Sequence, residues 1–192
     1  MYNSSRTRQG GLMMEEGIAT ISFYNKGDFA PAVEALSDQF SLVIASNPWL
    51  AGNLIKAKGG AFLRHPTSPF ATQINALFTA TSVKDPAAFK QSPTTPYTTI
   101  CADMCNSKTV IVGSRYVILG KDKPVTILTL SESAPGEFAL IFSISHAVAD
   151  GRTYYEIFQM LQPGAAVRKL STARVMAFSE VMKDMCGRKE LE

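Results

Sequence analysis

The chain has 192 residues, of which 46% are hydrophobic and 18% charged, and its net charge is +3. That length can bury a substantial core, and that balance describes a folded globular chain rather than a disordered one. The charge is too mild to point to nucleic acid or an anionic membrane surface, and no apolar run approaches the ~20 residues of a membrane span.

Residues 1–17 read as a flexible N-terminus and 18–192 as a single domain. Met1 to Met14 carries Arg6 and Arg8, small polar residues and no acid. A transit peptide shares part of that composition, and so does a frayed end, which is the commoner case. Ile18 to Tyr24 is strand-like. Asp28 then offers a helix N-cap, and Phe29, Val33, Leu36, Phe40 and Val43 follow at helical spacing, with Pro31 tolerated in the first turn. Asn47-Pro48 ends this helix, because proline drives its predecessor out of the helical region. Trp49 to Lys56 and Ala61 to His65 read as two extended segments around Gly59-Gly60, a hairpin.

Residues 66–99 are rich in Pro, Thr and Ser and read mostly as loop, with a strand at Ile74 to Ala80. Val110 to Val112 and Arg115 to Leu119 are β-prone runs broken by Gly113. Lys121 to Pro124 is turn chemistry, Val125 to Leu130 a strand, and Ala134-Pro135-Gly136 another turn. Glu137 to Ser145 is a strand with Phe138, Leu140, Phe142 and Ile144 on one face and Ala139, Ile141, Ser143 and Ser145 on the other. Neither face is strongly polar, so the strand is expected at the centre of the sheet, covered on both sides. After Gly151 the period becomes helical, with Tyr154, Ile157, Phe158 and Leu161 in one stripe. Thr153 to Glu156 fits a reciprocal capping pattern, and Asp150 is a competing N-cap. Pro163-Gly164 stops this helix, and a last one is expected from about Thr172 to Cys186.

Three cysteines lack any Cys-x-x-Cys spacing, and His65 is not at a ligand spacing from any of them, so no metal site is expected. Reduced thiols in a cytoplasmic protein are the default reading. The eight methionines read as core filling, Tyr154 and Tyr155 as core and rim, and Asn47, Trp49 and the glycine pair as structural.

Chemistry concentrates in His146-Ala147-Val148-Ala149-Asp150-Gly151, directly after the apolar strand. His146 is one of two histidines. An imidazole titrates near neutrality and serves as a general base when aimed at a hydroxyl or amine. A lone histidine at a strand end is more often packed than catalytic, and an aspartate at a helix start is usually a cap. The H-x-x-x-D-G pattern in its strand-turn-helix setting, strongest between Phe138 and Leu161, outweighs those plainer readings. It resembles the motif of the CoA-dependent acyltransferase superfamily, which includes chloramphenicol acetyltransferase, the plant BAHD acyltransferases, carnitine acyltransferases and the condensation domains of peptide synthetases. Asn47 to Ile55 also resembles that superfamily's Pro-Leu-Ala-Gly-Arg passage, with Trp49 inserted and Asn53 in place of arginine.

The resemblance implies an α/β (α+β) two-layer sandwich, a mixed, largely antiparallel sheet covered by helices as in chloramphenicol acetyltransferase. It implies His146 as catalytic base, Asp150 and Gly151 as structural members of the motif, and an arginine partner for Asp150, with Arg64 and Arg115 as candidates. It implies acyl transfer from a CoA thioester to a hydroxyl or amine acceptor, with acyl-CoA as co-substrate and no permanently bound cofactor or metal. No oxyanion donor stands out. No Asp-Phe-Gly-Trp-Gly element is present, and 41 residues follow Gly151. The chain therefore resembles the N-terminal half of a two-domain member, completed by a second half-domain or by homo-oligomerisation, including a trimer. The alternatives are an acyltransferase-like domain without activity, serving as a structural or interaction subunit, and a condensation-type domain that uses carrier-protein thioesters.

Overall fold

The computed structural model describes residues 2–6, 17–58, 60–106, 112–113 and 115–172. Two sheets organise the molecule. The first has three antiparallel strands in the order β1 (Tyr2–Arg6), β4 (Gly60–Pro66), β3 (Asn53–Ala57). The second runs β2 (Gly17–Tyr24), β7 (Glu137–Ser145), β6 (Thr126–Ala134), β5 (Phe78–Thr81). Within it β5 lies parallel to β6, and the other pairs are antiparallel. This is the mixed, largely antiparallel sheet with helices against it that the resemblance implies.

β7 is buried along its length after Glu137, and its two faces serve different layers. Phe138, Leu140, Phe142 and Ile144 enter the main core. There they meet Phe40, Val43 and Ile44 of α1 (Phe29–Ser46) and Tyr154 and Ile157 of α5 (Gly151–Met160). Ala139 and Ile141 form a second, smaller core with Phe89 and with Ile100 of α3 (Tyr97–Asn106). Burying each large aliphatic or aromatic side chain contributes about 1.5–3 kcal/mol, so the α1–α5 face carries most of the stabilising area. Pro135-Gly136 closes the β6–β7 hairpin, with Gly136 at φ +78°, where glycine alone avoids a Cβ penalty.

Several expectations are corrected. Tyr2–Arg6 forms a strand against β4, in a segment whose composition is shared by a frayed end and, in part, by a transit peptide. Pro48–Ala51 is a 3-10 turn rather than strand, with Trp49, Leu50 and Ala51 buried by it. Residues 71–75 form a short helix, α2 (Ala71–Asn75), so the strand expected from Ile74 shrinks to β5. Gln73 Oε1 accepts from Phe70 N at 3.0 Å, a local bond that favours the helical turn over the extended chain. Arg115 to Leu119 is helical in its first four residues, as α4 (Arg115–Ile118), and buries Ile118. Tyr97–Asn106 is a helix that begins in the last three residues of the 66–99 stretch read as loop and continues through residues to which the patterning assigns no element. Most of the last expected helix, beyond Thr172, and residues 110–111 of the expected β-prone run lie outside the described residues.

Gln39 of α1 and Asn47, its C-cap, hold the segment after α5. Gln39 Nε2 donates to Met160 O (2.6 Å) and Ala165 O (3.0 Å). Asn47, buried, donates to Val43 O and Arg168 O (3.1 and 3.0 Å) and accepts from Leu170 N at 2.8 Å. The structural reading of Asn47 is thus given a mechanism: it terminates one helix and anchors a distant strap.

Candidate functional site

β7 ends at Ser145, and the chain turns there through residues 146–148. The turn is braced on one residue. Val148 N and Ala149 N both donate to Ser145 O (3.0 and 3.3 Å), and Ala147 N donates to Ser145 Oγ (3.3 Å). Ser145 N in turn donates to Val125 O at 2.8 Å, which ties the turn to the start of β6. His146 is half-buried in this turn, while Ala147, Val148 and Ala149 beside it are buried. Small residues are what this packing permits, and they keep bulk away from the imidazole.

Asp150 is the N-cap of α5, with extended backbone, and its Oδ1 accepts from Thr153 N at 2.9 Å. The contest between Asp150 and Thr153 for the cap is decided for Asp150, which also places a carboxylate at the positive end of the helix dipole. Gly151 is the first helical residue and is absent from the left-handed region. A Cβ there would meet nothing within 4 Å. The bend into α5 therefore needs no positive φ: Asp150, in the extended region, makes it.

Tyr154 locks the helix to the sheet. Its hydroxyl donates to Phe142 O (2.8 Å) and pairs with Thr20 Oγ1 (2.7 Å), bridging α5 to β7 and β2. Burial pushes its pKa up to about 12, partly offset by the bond with Thr20. A phenol so committed is structural, and Tyr155 is exposed at the rim.

The remaining candidates are scattered. His65 is half-buried, and its Nδ1 bonds Pro66 O at 3.0 Å, a local role. Arg64 on β4 lies 3.8 Å from Asp122, in an exposed ion pair. The Arg115 side chain falls outside the described residues. Cys101 is a free thiol on α3, and among the described residues no group of three His, Cys, Asp or Glu side chains could hold a metal ion. No described helix is long and apolar enough to cross a membrane.

Among the clefts lined by described residues are three that His146 does not line. One, of about 350 Å³, is apolar and lies between α1 and the β2 end of the sheet, walled by Tyr24, Leu36, Phe138 and Leu140. One, of about 280 Å³, lies on the other side of the stacked Tyr24–Phe138 pair. The third, of about 390 Å³, has a mixed lining to which Asn53, Arg64, Gln73, Leu77, Asp122 and Pro124 contribute. Sequence patterning gave no sign of this last cleft, since its residues come from separate segments of the chain.

No protein-family profile matches the chain, and no curated protein matches it. Solved structures do. The first condensation domain of the calcium-dependent antibiotic synthetase, in complex with a substrate analogue, superposes with a TM-score of 0.53 at 15% identity, over 89% of this chain and 39% of that one. Polyketide synthase associated protein 5 from Mycobacterium tuberculosis gives 0.51 at 16% identity, over 90% and 37%. TRI101 of F. sporotrichioides, complexed with coenzyme A and T-2, gives 0.50 at 15% identity, over 79% and 37%. The chain shares its fold with these structures, and it spans under two-fifths of the length of each of them.

Proposed function

We propose that this chain is one domain of an acyl-transfer enzyme in which His146 is the general base, completed by a second domain or subunit. The observation that carries the reading is the half-buried imidazole at the end of a fully buried central strand, on a turn braced by Ser145 and closed by the Asp150 cap. Rigid surroundings of that kind are what a base needs to hold its aim. The fold adds support, because solved chains that share it include one complexed with coenzyme A.

In the proposed reaction a His146 ring nitrogen takes the proton from an acceptor hydroxyl or amine. The freed oxygen or nitrogen attacks the thioester carbonyl, the C–S bond breaks, and the departing thiolate takes the proton from the imidazolium. Acyl-CoA enters as co-substrate, and no acyl-enzyme forms. Asp150 and Gly151 shape the loop and the helix start. The tetrahedral oxyanion needs a donor, and the second domain or subunit supplies it in this reading.

The test is release of free thiol from acyl-CoA with a panel of alcohols and amines, using the full chain alone and with co-expressed partners. His146→Ala is expected to lower the rate roughly 10²–10⁴-fold. Wild-type rates from that variant in every detected reaction overturn the base assignment. A second reading is a structural or interaction subunit without activity. Binding of a partner with no thioester turnover, alone or in the complex, selects it.

A further inference from the structure

The apolar cleft of about 350 Å³ is a wedge left open between a helix and the sheet it packs on. Ala32, Ala35, Leu36 and Gln39 line it from α1, at the i, i+3, i+4, i+7 spacing of one helix face. Two of those four are alanines, so the helix supplies little bulk at that level. From the sheet come Leu130, Leu140 and the stacked Tyr24–Phe138 pair, whose ring centroids are 5.4 Å apart. The remaining wall is the segment 161–164 that follows α5.

That wall is held at both ends. Gln39 Nε2 donates to Met160 O (2.6 Å) and to Ala165 O (3.0 Å), one carbonyl on each side of residues 161–164. Ala165 N also donates to Gln162 O at 3.0 Å, which closes a turn with Gly164 at φ +72°. A cleft whose walls are already fixed loses little freedom when a molecule enters it. The two carbonyls also orient the Gln39 amide. Its NH2 group faces both of them, and its Oε1 accepts no hydrogen bond among the described residues.

None of the described residues that line the cleft is charged. Its volume falls at the lower end of the roughly 300–1,000 Å³ of small-molecule sites. One turn of α-helix, about 10 Å across and about 5.4 Å long, takes up roughly 420 Å³, more than the cleft offers. An extended peptide would set its N–H and C=O groups against leucine and phenylalanine side chains, where they find no partners. We propose that the cleft binds a small, uncharged, mainly hydrocarbon molecule with one hydroxyl or N–H group, which donates to Gln39 Oε1. A charged group meets no counter-charge there, so its desolvation is uncompensated. The site is separate from the histidine turn. Leu140, the β7 lining residue nearest that turn in sequence, stands five positions before Ser145, about 17 Å along the strand. Its occupancy does not depend on acyl transfer.

1-Naphthol, 1-methoxynaphthalene, 1-decanol and decanoate are titrated against the full chain, followed by two-dimensional NMR of the backbone amides and by calorimetry. The naphthol and the decanol are expected to bind and to shift the amides around Ala35 and Gln162. 1-Methoxynaphthalene, which lacks the donor, is expected to bind severalfold more weakly than 1-naphthol. Decanoate is expected to bind at least tenfold more weakly than 1-decanol. Ala35→Leu adds bulk at an exposed helical position and removes no contact. It is expected to weaken both alcohols at least tenfold without lowering the thermal midpoint. The site is overturned if neither alcohol shifts those amides up to its solubility limit, if Ala35→Leu binds them like wild type, or if decanoate matches 1-decanol. Shifts of the same amides that grow with protein concentration and block the alcohols give the cleft to a second copy of the chain and also overturn it.

Discussion

The two faces of β7 are held by different physics. On the α1–α5 face, Phe138, Leu140, Phe142 and Ile144 pack among large apolar side chains, and the Tyr154 hydroxyl is the polar group that reaches the strand. On the α3 face the core is smaller, and hydroxyls organise the loops. Ser143 Oγ accepts from Val112 N at 3.0 Å. Ser131 Oγ accepts from Phe89 N and Thr81 Oγ1 (2.7 and 2.8 Å) and donates to Phe89 O (3.3 Å). Area stabilises one side, and satisfied hydrogen bonds position segments on the other. The turn that carries His146 is built from the second kind of contact, through Ser145.

Breaking the packed face has the largest expected effect. Phe142→Ala removes a fully buried ring stacked among Tyr154 and Phe158, and it is expected to cost about 3–5 kcal/mol in urea unfolding. A loss under 1 kcal/mol contradicts the assignment of that face as the main core. Tyr154→Phe probes its single polar tie through pH. The folded pKa, about 12, lies above the ordinary value of 10.0. Wild-type stability is therefore full below about pH 10 and is lost as pH rises through about 12, by on the order of 2 kcal/mol. The variant is expected to lack this alkaline limb, and an unchanged pH profile refutes the cause assigned to it.

Ser143→Ala tests the hydrogen-bonded face. It leaves the Val112 amide without its partner and is expected to cost about 1–2 kcal/mol, read by chemical denaturation. The smallest effect belongs to Gly151→Ala. Open space surrounds the site, and the backbone is helical, so stability is expected to stay equal or rise by about 0.4–1 kcal/mol. A large loss in thermal unfolding shows that the glycine has a role its local geometry does not reveal.

Long, regular elements were legible. The period of two across Phe138–Ser145 placed a central strand, and the stripe from Phe29 to Val43 placed α1, because in each case one spacing satisfies burial. The punctuation at Asn47-Pro48 and Pro135-Gly136 was equally local. Short elements that exist through contacts with distant partners were not legible. α3 is helical where Ile100 reaches Ala139 and Ile141, and its own Thr-rich sequence gives a weak stripe. β5 takes its place by parallel pairing with β6, from Phe78↔Leu128 to Thr81↔Ser131. β1 is a strand because β4 offers it an edge.

The candidate site divides the same way. Residue order alone determined that a histidine follows a buried strand, that small residues flank it, and that an acid stands where a helix begins, since these depend on neighbours a few positions apart. Tertiary structure decided which residue caps α5, how Gln39 and Asn47 strap down residues 160–170, and that Arg64, Asp122 and Pro124 share a cleft. Those groups lie tens of residues apart in the chain, and only sheet register and the seam between the two sheets bring them together, which is information no local spacing encodes.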